Sequence, residues 1–127
     1  MKKIIFSATV IFALLFCVSC KKNDPEGVAK SFLSSLQKEN YYKAADCCYY
    51  DCKPEELEGR HNAVQLYCEI YGRNIQKNGG IKSFTIDKVE ENGDKAVVTA
   101  TISFGNGKTI TQKTKTKKID GKWYLQM

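Results

Sequence analysis

Apolar residues fall into three regimes along the chain. Ile4 to Val18 is a continuous apolar run broken only by Ser7 and Thr9. Residues 25–78 then carry apolar positions at helical spacing, and residues 81–127 carry them in alternation, the signature of strands. In the helical half, Val28, Phe32, Leu33 and Leu36 form one stripe. Asp24 is placed to cap that helix, Pro25 to open it and Glu26 to sit in its first turn, with Glu39-Asn40 closing it. A second helix is predicted from Tyr41 to Asp51, with Tyr42, Ala45 and Tyr49 on one side. Pro54 stops it, because the residue before a proline avoids helical angles. A third helix is predicted from Glu55 to Asn74, burying Leu57, Val64, Tyr67, Cys68 and Tyr71. Asn78-Gly79-Gly80 ends the helical half.

The second half predicts a four-stranded meander. Ser83 to Glu90 forms a strand with Phe84 and Ile86 inward and a bulge before Val89. After the Asn92-Gly93-Asp94 turn, Lys95 to Phe104 alternates cleanly, with Val98, Ala100, Ile102 and Phe104 on one side. Gly105-Asn106-Gly107 turns into Thr109–Ile119, a polar strand rich in Thr and Lys, so one of its faces meets solvent. Asp120-Gly121 turns into a last strand that brings Trp123 and Leu125 to the core. Helices followed by an antiparallel sheet predict an α+β domain with the helices on one sheet face.

The apolar run at the start changes the setting. It follows Lys2 and Lys3, is shorter than the ~20 residues a bilayer requires, and has the length of an export signal. It ends Cys17-Val18-Ser19-Cys20. A small residue before a cysteine at the edge of such a run is the pattern of a lipoprotein cleavage site, although Cys17 stands where leucine is usual. The chemistry fits: the Cys20 thiol accepts a diacylglyceryl group, and small neighbours admit the peptidase. Further acyl chains (palmitate and its kin) make anchoring durable, where one chain is marginal. The predicted organisation is a leader over 1–19, the lipidated Cys20 with a polar tether over 20–26, and a folded domain over 27–127. Lys21 follows the anchor in place of the aspartate that retains some enteric lipoproteins in the inner membrane, so outer-membrane residence is expected.

Composition narrows the function less. With 127 residues, 43% hydrophobic and 27% charged, the chain suits one ordinary globular domain. Lys2 and Lys3 leave with the leader, so the net charge of +6 falls to +4. That is too weak for a dedicated nucleic-acid binder, and the expected partner is the membrane itself, through Cys20.

Three stretches carry a family resemblance: Asp24-Pro-Glu-Gly-Val-Ala-Lys-Ser-Phe-Leu-Ser-Ser-Leu, Tyr41-Tyr42-Lys43-Ala44-Ala45, and Asp120-Gly121-Lys122-Trp123-Tyr124-Leu125. Together they resemble the small lipoproteins of the Bacteroides group that share the nuclear transport factor 2-like fold, some of them labelled lumazine-binding-like. The resemblance implies a cystatin-like cone: about three helices packed on a curved four-stranded antiparallel sheet, with a pocket between them. It implies no function, since the fold hosts enzymes, binders and interaction modules. Enzymes of this fold usually place Asp, His or Arg on the concave sheet face, and the strands here offer no histidine.

Four cysteines follow Cys20: Cys47, Cys48, Cys52 and Cys68. In an exported domain an even set suggests disulfides. Adjacent Cys47 and Cys48 rarely bond each other, and linking Cys47 or Cys52 to Cys68 ties the second helix to the third. The leading expectation is Cys48 or Cys52 to Cys68, with buried thiols as the alternative. A zinc site lacks its usual Cys-x₂-Cys knuckles, so neither metal nor cofactor is expected. His61, the one histidine, pairs with Glu58 or Cys68 only if the fold brings an orienting partner; otherwise it sits on a helix face near Arg60. Tyr41, Tyr42, Tyr49, Tyr50, Tyr67, Tyr71 and Trp123 are many aromatics for so small a domain. Core and rim packing accounts for them first; if a ligand pocket exists, Tyr42, Tyr67, Tyr71 and Phe104 are its candidate wall. Lys113, Lys115, Lys117, Lys118 and Lys122 concentrate charge on the last two strands, suited to anionic partners or to guarding the strand against pairing. No GxGxxG, phosphate loop, HExxH or GxSxG pattern is present. The expected function is a non-catalytic, membrane-anchored binding or interaction domain of the envelope. The alternative is a small-molecule binder or enzyme using the cone pocket.

Overall fold

The computed structural model describes residues 24–126. The expected leader, Cys20 and the start of the tether lie outside the described residues, as does Met127. Helix α1 (Pro25–Gln37) starts as its sequence dictates: the Asp24 side chain accepts from the Gly27 N–H, and Lys30 pairs with Glu26 one turn away at 2.9 Å. Its buried stripe is Val28, Ala29, Leu33 and Leu36. Asn40 then caps α2 (Tyr41–Asp46), its side chain accepting from the Lys43 N–H.

Helix α2 is shorter than its sequence suggested, ending at Asp46 instead of running to Asp51. The cause is competition from the last strand. The Cys47 carbonyl accepts from the Leu125 N–H at 2.8 Å, and the Leu125 carbonyl accepts from the Tyr49 N–H at 2.9 Å. Residues 47–49 thereby form a parallel bridge, Cys48 opposite Leu125, and the Cys47 carbonyl and Tyr49 N–H are unavailable to a longer helix.

A 3₁₀ turn, Pro54–Glu56, leads into α3 (Leu57–Lys77). Its core seam is Val64, Cys68, Tyr71, Gly72 and Ile75. Tyr67 and Leu57, expected inside, are 62% and 49% exposed. Tyr67 lies a 100° step from Cys68 on the helix, and Leu57 precedes the seam. Helices α2 and α3 cross closely at Gly72, where a β-carbon would lie 2.6 Å from the Tyr41 ring. Gly59, in contrast, has open space around it. Gly59→Ala is therefore expected to raise stability by about 0.5–1 kcal/mol, read as a higher midpoint in chemical denaturation; a lower midpoint would contradict the placement.

The sheet is an antiparallel meander, β1 (Ile81–Asn92), β2 (Lys95–Phe104), β3 (Thr109–Ile119) and β4 (Lys122–Leu125), in that spatial order. A register shift between Ile86 and Lys88 places the expected bulge before Val89. On β2, Ala96, Val98, Ala100, Ile102 and Phe104 are buried and the intervening residues half-buried. Asp120 and Gly121 both take positive φ, 51° and 82°, which closes β3 onto β4 with a two-residue turn.

The core lies between the helices and one sheet face, in two clusters. One joins Leu33, Leu36, Ala44, Cys68 and Ile75 to Ile81, Ala100, Ile102 and Phe104. The other joins Val28, Cys47 and Cys48 to Ala96, Trp123 and Leu125. At the end where α3 stops, the α3–β1 loop is fastened to the β2–β3 turn. The Gly105 N–H donates to the Gly80 carbonyl at 3.0 Å, and the Asn106 N–H to the Asn78 carbonyl at 2.9 Å. The Asn106 side-chain amide donates to the Asn78 side-chain oxygen at 3.0 Å.

Candidate functional site

The centre of the space expected between helices and sheet is filled, and only a groove beside β3 stays open there. Phe32 and Leu33 of α1 press onto Val98, Ala100 and Ile102, leaving a void of about 10 Å³, room for about one water molecule at most. Open volume lies instead at the side of the domain. A cleft of about 960 Å³ opens between α2, residues 48–50, the start of α3 and the β3–β4 turn.

The early end of α2 builds this cleft. Because β4 captures Cys48 and its neighbours, Tyr49 and Tyr50 leave the helix and face the start of α3. The Tyr50 hydroxyl donates to the Ala45 carbonyl at 2.6 Å, which fixes its ring. The His61 ring then packs between two tyrosines, 4.5 Å from Tyr42 and 5.9 Å from Tyr50 between centroids. Tyr49 and Tyr124 meet at 6.0 Å. Asp46, Glu58 and Asp120 bring carboxylates to the lining, against a single lysine, Lys122. The His61 Nε2 atom is buried with no hydrogen-bond partner among the described residues. Burial raises the Tyr50 phenol above its usual range, helped by the neighbouring cysteines and Asp46, so it stays a neutral donor at any physiological pH.

The four aromatics nominated from sequence are not brought together. Tyr42 lies in the cleft against His61. Tyr67 and Tyr71 line a separate groove beside β3, where the Tyr71 hydroxyl donates to Gln112 at 3.4 Å. Phe104 is 7% exposed and belongs to the core. The cleft residues that sequence reasoning passed over are Tyr49, Tyr50 and Tyr124. Tyr124 had a readable signal, since it alternates with inward Trp123 and Leu125. Tyr49 and Tyr50 had none once a helix was drawn through them.

Among the described residues the four cysteines carry thiols and no disulfide joins them. The expected link from Cys48 or Cys52 to Cys68 is absent because the chain turns the thiols elsewhere. The Cys47 thiol faces the Lys43 carbonyl at 3.4 Å, the Cys48 thiol faces the Ala44 carbonyl at 3.8 Å, and Cys52 is half-buried in the loop beyond. Burial, then Cys47 and Glu69, push the Cys68 thiol up to about 11 from an ordinary 9.0. Tyr41, Tyr50 and Tyr71 are raised chiefly by burial as well. Each of these groups binds its proton more tightly in the folded state. Their contribution to stability is complete below their unfolded pKa values and is lost as pH rises through the folded ones. Stability is expected to hold through neutral pH and to fall from about pH 9 to 11, measured as the urea midpoint against pH; a midpoint rising over that window would contradict the burial of Cys68. No three His, Cys, Asp or Glu side chains converge as metal ligands among the described residues, and no helix there is long and apolar enough to cross a membrane.

A family model described as a domain of unknown function, DUF4878, matches residues 18–126. The chain belongs to the DUF4878 family. Among curated proteins, none matches it. Three solved structures place the DUF4878 domain in a wider fold. A Campylobacter jejuni protein named as an NTF2-like transpeptidase superposes with a TM-score of 0.70 at 20% identity, covering 82% of this chain and 98% of its own. A SEC-C motif-containing protein from Rhodopseudomonas palustris follows at 0.59 and 14%, covering 87% and 83%. A DUF4783 family protein from Bacteroides ovatus follows at 0.55 and 9%, covering 83% and 92%. At these identities the likeness is one of fold. The DUF4878 domain therefore has the nuclear transport factor 2-like α+β cone, with helices on one face of an open four-stranded antiparallel sheet.

Proposed function

We propose that this DUF4878 protein is an envelope lipoprotein, cut after Ser19, lipidated on Cys20 and, with Lys21 and not aspartate after the anchor, held at the outer membrane. Its domain is a non-catalytic binding module. The observation that carries the binding reading is the size and lining of the side cleft. With about 960 Å³ there, against about 420 Å³ in the groove beside β3 and about 10 Å³ under Phe32 and Leu33, recognition is assigned to the cleft of Tyr42, Tyr49, Tyr50, His61 and Tyr124. Aromatic rings flanked by Asp46, Glu58 and Asp120 favour a ligand with a planar or apolar body and a cationic group. The anchor reading is supported by the leader, by Cys20 at its edge, and by a family match that begins at residue 18 and so includes Cys20.

Two measurements test the two halves separately. Metabolic labelling with a fatty acid is expected to mark the full chain and to vanish in Cys20→Ser; label retained by that variant overturns the anchor. Mass spectrometry of small molecules co-purified with the protein from its native envelope is expected to find a bound species that Tyr42→Ala loses. A stoichiometric ligand kept by Tyr42→Ala places binding outside the cleft and overturns that half.

A further inference from the structure

The meander leaves one stretch of strand edge uncovered beside an aromatic groove. Strand β4 pairs with β3 only from Thr116 to Ile119. One further bond, from the Gln126 N–H to the Lys115 carbonyl at 2.9 Å, extends that cover. From Thr109 to Thr114, β3 pairs with β2 on one side, and no described strand lies on the other. The direction of the free backbone groups follows from period two. The Lys115 carbonyl points to the β4 side, whereas the Lys118 N–H points to the β2 side and reaches Asp94. Thr109, Thr111 and Lys113 share the parity of Lys115, so their N–H and C=O groups face the open edge.

That edge has two different faces. On the helix side, Phe32, Tyr67 and Tyr71 roof a groove of about 420 Å³ running along β3. Tyr67 is 62% exposed there, and Ile110, of the inward parity, is 41% exposed. On the outer side, Lys113 and Lys115 stand two residues apart and exposed. A strand added in line with β4 would alternate its side chains between these surfaces, apolar toward the tyrosines and charged toward the lysines.

We propose that this edge is a peptide-docking site that takes, by strand addition, an extended partner segment alternating apolar and acidic residues. Charge decides the occupant. A second copy of the chain would set its own Lys113 and Lys115 against these, and like charges across a strand pair repel. Lysines that guard an edge against self-pairing are the same groups that admit an acidic strand. The opposite sheet edge, β1, does not compete. Its bulge breaks the ladder at Ile86–Lys88, and Lys82, Asp87, Lys88, Glu90 and Glu91 give it no single sign. The docking site is independent of the cleft and of the lipid anchor.

The test uses the full chain in detergent and a fluorescent synthetic peptide of about eight residues alternating Val and Glu, a typical strand length. Anisotropy is expected to show binding roughly tenfold tighter than for a peptide of the same composition with Val and Glu in separate blocks. Methylating alternate backbone nitrogens is expected to abolish it. Lys113→Glu with Lys115→Glu is expected to weaken the acidic peptide several-fold, Lys113 facing the added strand directly and Lys115, which lies opposite Gln126, reaching it diagonally, and to create binding of a Val–Lys peptide. Thr111→Pro removes one edge donor without touching the ladder to β2 and is expected to have a similar effect. Because the charge reversals sit on exposed side chains, they decide the matter whatever Thr111→Pro does to folding. Equal binding of the methylated or block peptide, an unchanged preference in the Glu variant, or edge-to-edge dimers in sedimentation would each overturn the proposal. Loss of the cleft ligand in Tyr42→Ala with peptide binding intact would separate the two sites.

Discussion

Truncating Trp123 to alanine is expected to lower the unfolding free energy by about 3–5 kcal/mol, against a total of about 5–15 kcal/mol for a domain of this kind. Trp123 is 3% exposed and fills the second core cluster, where Val28 of α1, Cys47 and Cys48 beyond α2, Ala96 of β2 and Leu125 of β4 meet. The lost ring removes both its transfer free energy and the contacts of its lining, because elements held by separate backbone ladders cannot collapse into the gap. Chemical denaturation followed by far-UV circular dichroism measures the effect. A loss under about 1 kcal/mol would mean that the final strand is peripheral, which contradicts the burial pattern of β4.

The second large effect concerns a contact with no side chain. A β-carbon at Gly105 would overlap the Gly79 carbonyl oxygen and lie 3.0 Å from the Gly79 carbonyl carbon. The obstacle is backbone, and the α3–β1 loop is already fixed by φ of 90° at Gly79 and 77° at Gly80. Gly105→Ala must therefore part the two loops and strain the bonds between Gly105 and Gly80 and between Asn106 and Asn78. A cost of about 2–3 kcal/mol is expected, or a melting point lower by roughly 10–20 °C at 4–8 °C per kcal/mol. A melting point within a degree or two of the parent would sink the close approach. Measured beside Gly59→Ala, which has the opposite expected sign, the pair separates steric exclusion from helix propensity.

How far the residues alone reveal this molecule depends on whether a segment's fate is decided locally. Strand β2 was legible because Val98, Ala100, Ile102 and Phe104 alternate over a length no helix would share, and both edges of the segment carry turn residues. Helix α1 was legible from its cap, its proline and its stripe. The limit of α2 was not, because nothing within Tyr41–Asp51 forbids a longer helix; the deciding bonds come from Leu125, far along the chain. That one misplacement hid the cleft. Tyr49 and Tyr50 belong to it only after the helix stops, and of the nominated residues Tyr67 and Tyr71 line the smaller groove beside β3 while Phe104 sits in the core. Tyr67 shows the remaining blind spot, since a large aromatic near a helical seam looks buried until the crossing partner's position is known.

The bridge between Cys48 and Leu125 has a consequence for how the polypeptide is made. Synthesis runs from the amino end, so Val28, Cys47 and Cys48 emerge from the ribosome long before Trp123 and Leu125. Their shared cluster cannot close until Trp123 and Leu125 have been added, and contacts of such separation also close slowly. Until those two residues arrive, a nascent chain of this kind stays open and threadable at that end of the domain.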